Sequence, residues 1–172
     1  NTEDLTEYYI HGEPEPIVSK ITEDKSLRIH ILSVIVIHPG IKKEELLEFF
    51  LQTLGGLQTS KATLTFAINI SLRFLSSQQL IIKKGERYAG TAFGKKTSML
   101  YIDPLTATYF RDAIDNVSEQ RKHTFGFLHL MTNCEEFFPK FSLRNKDYES
   151  TSLMIENHSS ELIEAISEYD CS

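Results

Sequence analysis

Residues 61–91 read KATLTFAINISLRFLSSQQLIIKKGERYAGT. From Lys61 to Ser77 apolar residues recur at helical spacing. At about 100° per residue, Leu64, Ala67, Ile68, Phe74 and Leu75 fall on one arc, and Lys61, Thr65, Asn69, Arg73 and Ser76 on the other. Leu72 projects into the polar arc and Phe66 lies on its edge. The register then changes. Leu80 to Lys84 reads as a strand and Arg87 to Thr91 as its partner, with Gly85-Glu86 as a two-residue turn between them.

Upstream, Lys25 to about Ile37 is so apolar that its helix must be buried on most sides, and Pro39-Gly40 stops it. Ile41 to Leu54 reads as a second helix with Leu46, Leu47, Phe50 and Leu54 as its core stripe, closed by Gly55-Gly56. Three helices followed by a β-ribbon is the order of a winged helix. Before them, Pro14 and Pro16 exclude a helix interior and mark an extended linker.

Downstream of Thr91 the pattern becomes helical. A short helix covers Ala92 to Tyr101. Asp103-Pro104 restarts one, with Asp103 as N-cap and Pro104 in the first turn. Leu105, Tyr109, Ala113 and Val117 form its expected core stripe, with Phe110 and Ile114 beside it. Phe125 to Met131 is another helix, Pro139 breaks the Phe-rich stretch that follows, and Asp147 to Ile166 is a longer helix with a weaker stripe. The expected fold is mainly α: a winged helix, then a partial helical bundle.

Composition narrows the function classes. Apolar residues make up 41% of the 172, which suits a globular chain rather than a disordered one. The longest apolar run, Ile29 to Ile37, falls short of the ~18 residues a membrane span needs and is interrupted by His30 and Ser33. With two cysteines, Cys134 and Cys171, there is no disulfide framework, and a reducing cytoplasm is the expected compartment. The net charge of -6 conceals a division: Lys25 to Lys96 carries +7, Thr97 to Ser172 carries -7, and the first 24 residues carry -6. A basic middle between acidic flanks suits one module lying beside phosphates, not a chain wrapped in nucleic acid. Because the first residue is Asn, the chain is expected to be part of a longer polypeptide.

Several apparent motifs carry no chemistry. The run from Gly90 to Thr97 imitates a phosphate-binding loop, but it has three residues between its glycines and a second Lys before Thr97. His123, His129 and Cys134 are spaced so that no helix face brings two ligands together cleanly. His30 and His129 sit in apolar runs and read as satisfied interior histidines. Phe137, Phe138 and Phe141 are exposed if the bundle is incomplete, and then favour dimers. No catalytic residue, metal or cofactor is expected in this chain.

The polar arc of the third helix and the β-ribbon make the site worth testing. Helix-turn-helix proteins set such a helix against nucleic acid while the wing touches the backbone. Lys61, Arg73, Lys83, Lys84 and Arg87 are candidates for phosphates, and Thr65 and Asn69 for short hydrogen bonds. Phe66 and Leu72 suit docking against protein better than reading base edges.

Two stretches carry a family resemblance. Phe93 to Ile114, FGKKTSMLYIDPLTATYFRDAI, is similar to the junction between the winged-helix domain and the helical ratchet bundle of Ski-two-like superfamily-two helicases. The wording LYIDPLTA is most like the archaeal DNA-repair branch, the Hel308 group. Tyr9 to Ile35, YIHGEPEPIVSKITEDKSLRIHILSVI, resembles the GEPE-type linker and following helix that come after the second motor domain in the same family. The resemblance covers residues 5 to 130 and implies three parts: 1–20 a linker from a motor domain, 21–98 the winged helix, and 99–172 the first ratchet helices.

The activity it implies belongs to a parent protein: ATP-dependent 3′ to 5′ unwinding of branched or fork DNA in repair. ATP and Mg²⁺ would sit in the parent's RecA-like motor domains, which are one expected partner of this chain. The other is DNA, bound weakly and without sequence preference. Phe66 and Leu72 would face the motor. The family's DNA-stacking aromatic has no match here. The alternatives are the same region of an RNA helicase, or a free-standing winged-helix transcription regulator.

Overall fold

The computed structural model describes residues 2–12, 16–21, 23–119, 122–140 and 142–163. Residues 13–15 of the linker, Phe141, Cys171 and the end of the helix expected to reach Ile166 lie outside them. The chain divides into two compact units, Asn1–Ala92 and Phe93–Ser172.

The first unit opens with a short helix α1 (Thr2–Thr6), whose next turn, Glu7–His11, is π-helical. Its body is α2 (Asp24–Ile37), β1 (Ile41–Lys42), α3 (Lys43–Leu51), α4 (Leu54–Gln58), α5 (Lys61–Ser77), β2 (Ile81–Lys84) and β3 (Arg87–Gly90). The strands form one antiparallel sheet in the order β1-β3-β2. Helix α2 buries Leu27, Ile31, Leu32, Val34 and Ile35, more than one face, as its apolar run requires. Leu46 and Phe50 of α3, Leu64, Ile68 and Leu75 of α5, and Leu80 and Ile81 entering the sheet are buried with them and complete the core, with α2 packed chiefly on α5 and β3.

The second helix begins later and ends earlier than its apolar pattern predicts. Ile41 and Lys42 are extended because they pair with Tyr88 and Arg87 of β3. The Lys42 N–H donates to the Glu45 carboxylate at 2.7 Å, which starts α3. Leu46 and Phe50 are fully buried, but Leu54, expected in the same stripe, is exposed at the start of α4. Gly55-Gly56 is not a helix stop. Both glycines lie inside α4 because two segments crowd it: a Cβ at Gly55 would overlap Ile21, and one at Gly56 would overlap the Phe50 carbonyl. The segment at Ile21 is held in place. Gln58 accepts the Ser19 N–H and donates to the Ile17 carbonyl, both at 2.8 Å.

The second unit contains α6 (Ala92–Leu100), α7 (Pro104–Asn116), α8 (Thr124–Thr132) and α9 (Tyr148–His158), and a tight turn, Ser159–Glu161, follows α9. Asp103 caps α7 by accepting the Leu105 N–H at 3.0 Å, with Pro104 in the first turn, as the dipeptide predicts. The predicted stripe of α7 is not its buried face. Leu105 is exposed, and Pro104, Thr106, Ala107 and Thr108 are buried. The reason is geometric: each step of four residues advances the helix by about 40°, so the stripe from Leu105 to Val117 winds a third of the way around. The buried threonines satisfy themselves, Thr106 with Glu136 and Thr108 with the Leu105 carbonyl at 2.8 Å. No helix among the described residues is long and apolar enough to cross a membrane.

Candidate nucleic-acid interface

Helix α5 starts at Ser60, whose hydroxyl accepts the Thr63 N–H at 3.1 Å. Its buried strip is Leu64, Ile68, Ser71, Leu72 and Leu75. Of the residues assigned to its polar arc, Lys61 and Arg73 are exposed, while Thr65 and Asn69 are half-buried on the flank. Thr65 donates its hydroxyl to the Lys61 carbonyl at 2.6 Å, which leaves that oxygen as an acceptor only.

Leu72, expected to face the motor, does not reach the surface. It is 4% exposed and belongs to the core, so it offers nothing to a docking partner. A helix that packs against α2 on one side and α3 on another buries a wider arc than a single-faced wheel allows for. Phe66, in contrast, is 63% exposed. Its neighbour one turn on is Ile70, 41% exposed and absent from the sequence-based set. The spacing of four residues from Phe66 to Ile70 was the available signal. Phe66, Ile70 and Arg73 therefore line the outward face of α5.

The hairpin pairs Ile81 with Gly90, Ile82 with Ala89, Lys83 with Tyr88 and Lys84 with Arg87. Its turn needs a positive φ at the first position, and Gly85 supplies one of 61°. Adjacent residues of a strand point to opposite faces. Lys83 thus lies with Tyr88, its ammonium 5.7 Å from the ring centre, and Lys84 lies with Arg87 on the other face. All three cations are exposed, and none forms an ion pair among the described residues.

The false phosphate-loop motif resolves into a strand end and a helix. Gly94 is buried within α6, and the Thr97 hydroxyl is spent on the Phe93 carbonyl at 3.0 Å. Among the described residues no three His, Cys, Asp or Glu side chains are grouped to hold a metal ion. The Cys134 thiol donates to the Met131 carbonyl. His129, expected to be satisfied in the interior, has a buried Nδ1 with no partner among the described residues.

No family model matches the chain. It is 30% identical over 158 residues to the ATP-dependent DNA helicase Hel308 of Thermococcus kodakarensis, covering 90% of this chain and 14% of that protein. Against the helicase of the same name from Methanocella arvoryzae it is 29% identical over 162 residues, covering 93% of this chain and 22% of the relative. The Thermoplasma volcanium protein of that name is 31% identical over 116 residues, 67% of this chain and 17% of the relative. The chain thus spans about a fifth or less of the length of these relatives. With two resembling stretches in order and a match along nearly its whole length, the chain belongs to the Hel308-type helicases, as the counterpart of one segment of them.

Proposed function

We propose that this chain is the DNA-contacting and domain-coupling region of an ATP-dependent helicase that moves 3′ to 5′ on branched or fork DNA during repair in the cytoplasm. The observation that carries this reading is the set of exposed cations on α5 and the hairpin, in a chain related to DNA helicases. Lys61, Arg73, Lys83, Lys84 and Arg87 contact phosphates. Asn69, half-buried beside them, donates a short hydrogen bond to the nucleic-acid backbone, and Thr65 does the same once its hydroxyl turns away from the Lys61 carbonyl. Such contacts position a strand without reading its sequence. Binding by this segment is therefore weak and insensitive to sequence.

ATP and Mg²⁺ belong to motor domains elsewhere in the parent protein. Phe66 and Ile70, with Leu72 withdrawn into the core, form the apolar contact through which this segment meets those domains. Motor movement then reaches the nucleic acid as a rigid-body displacement of the packed unit.

The test is the salt dependence of DNA binding by the whole chain. Each phosphate neutralised contributes about -0.9 to the slope of log K against log salt on duplex DNA. Replacing Lys83 and Lys84 by Ala together should flatten the slope, and an unchanged slope removes the hairpin from the interface. A transcription regulator would instead prefer one palindromic duplex and bind it as a dimer. An RNA helicase segment would favour RNA over DNA of equal length.

A further inference from the structure

We infer that Lys42, Arg87 and Lys84 form a single phosphate-binding row across the outer face of the three-stranded sheet, and that this row follows one nucleic-acid strand. The inference rests on the functional reading above and adds to it a residue, Lys42, and the form of the ligand. Lys42 pairs with Arg87 between β1 and β3, and Lys84 pairs with the same Arg87 between β2 and β3. Residues directly opposite in an antiparallel sheet point to the same face. With strands about 4.8 Å apart, the three positions make a line about 10 Å long. The neighbouring row, Ile41, Tyr88 and Lys83, points to the other face, where Tyr88 is only 8% exposed.

Like charges placed directly opposite in a sheet are destabilising. Here that juxtaposition occurs twice in one row, and none of the three cations has a carboxylate partner among the described residues. The nearby acids do not neutralise the row. Glu45 accepts the Lys42 backbone N–H at 2.7 Å, and Glu86 is exposed in the turn. An external polyanion supplies the missing charge. The row is also partly organised in advance: Arg87 donates one N–H to the Gly40 carbonyl at 2.8 Å, which steadies the guanidinium while its other donors remain.

An unbroken line of cations matches the unbroken line of charge along one strand. Two strands that bound a groove stand about 6 or 12 Å apart and call for cations at its two edges, whereas this row is continuous. Beside the row on the same face lie Ile82 and Ala89, with Ile82 42% exposed. That apolar step suits a sugar or base better than a second backbone.

The test measures binding of the whole chain to labelled oligothymidylate, to oligouridylate and to a duplex of equal length, over a range of salt. On a single strand each phosphate contact contributes about -0.7 to the slope. Lys42→Ala should flatten the slope by about 0.7, as should Lys84→Ala, on both single strands. Lys42→Arg should restore it, and Lys146→Ala, in the other unit, should leave it unchanged. Thermal melting checks each variant; should Lys42→Ala unfold the sheet, Lys42→Gln replaces it. If Lys84→Ala flattens the slope and neither Lys42 variant does, the row is wrong and the hairpin reading stands. If no cation of the hairpin or of β1 matters, both fail. A larger Lys42 effect on the duplex than on single strands overturns the single-strand assignment.

Discussion

Gln79 follows α5 with a φ of 58°, a left-handed conformation that glycine adopts freely and glutamine does not. The capping bonds explain why it is held there. The Leu80 N–H reaches the Leu75 carbonyl at 2.9 Å and the Gln79 N–H reaches Ser76 at 3.1 Å, the pair of bonds that ends a helix in a Schellman motif. Gln79→Gly should therefore raise stability by about 0.5–1 kcal/mol, and Gln79→Val should lower it by more than that, both read from urea unfolding. At the start of α7, Asp103→Ala should cost about 1 kcal/mol through loss of the N-cap, and Asp103→Asn should recover most of it. This cap was legible because Asp-Pro is a local signal. The burial of Leu72 was not, because it depends on which neighbours α5 has. Leu72→Glu would bury a carboxylate at a site 4% exposed and should unfold the first unit, an outcome that circular dichroism detects.

At the level of elements, α5 and the hairpin separate folding from function. The inner side of α5 holds the core, so Ile68→Ala should cost about 2–5 kcal/mol. Its outer side is free of that duty. Phe66→Glu and Ile70→Glu should melt like the parent chain. Placed in a whole helicase, they should reduce DNA-stimulated ATP hydrolysis while DNA affinity stays within twofold. Lost affinity with normal hydrolysis would assign this face to nucleic acid instead of to the motor. Helix α5 and the hairpin were readable because helical periodicity, the alternation of the strands and Gly85 all act within a few residues. Strand β1 was not: Ile41 and Lys42 continue an apolar helical pattern, and only Tyr88 and Arg87, far along the chain, draw them straight.

For the whole molecule, the division of charge runs alongside a division of packing. Among the described residues, eleven of the twelve largest fully buried side chains lie in the first unit and one, Leu130, in the second. Hydrogen exchange should accordingly be slowest in α2 and α5 and clearly faster in α7 and α8, as mass spectrometry of the intact chain can measure. Equal protection in both units would contradict this. The sequence by itself determined the helical character, the hairpin, the cap at Asp103 and the kinship with helicases, because each is written in neighbouring residues or in wording retained along the chain. Tertiary structure alone decided that Gly55 and Gly56 make room for crossing segments, that Leu72 is core and Ile70 surface, and that Lys42 stands in line with Arg87 and Lys84. Those facts come from contacts between distant segments, and the energy of such contacts depends on a partner that no local pattern names.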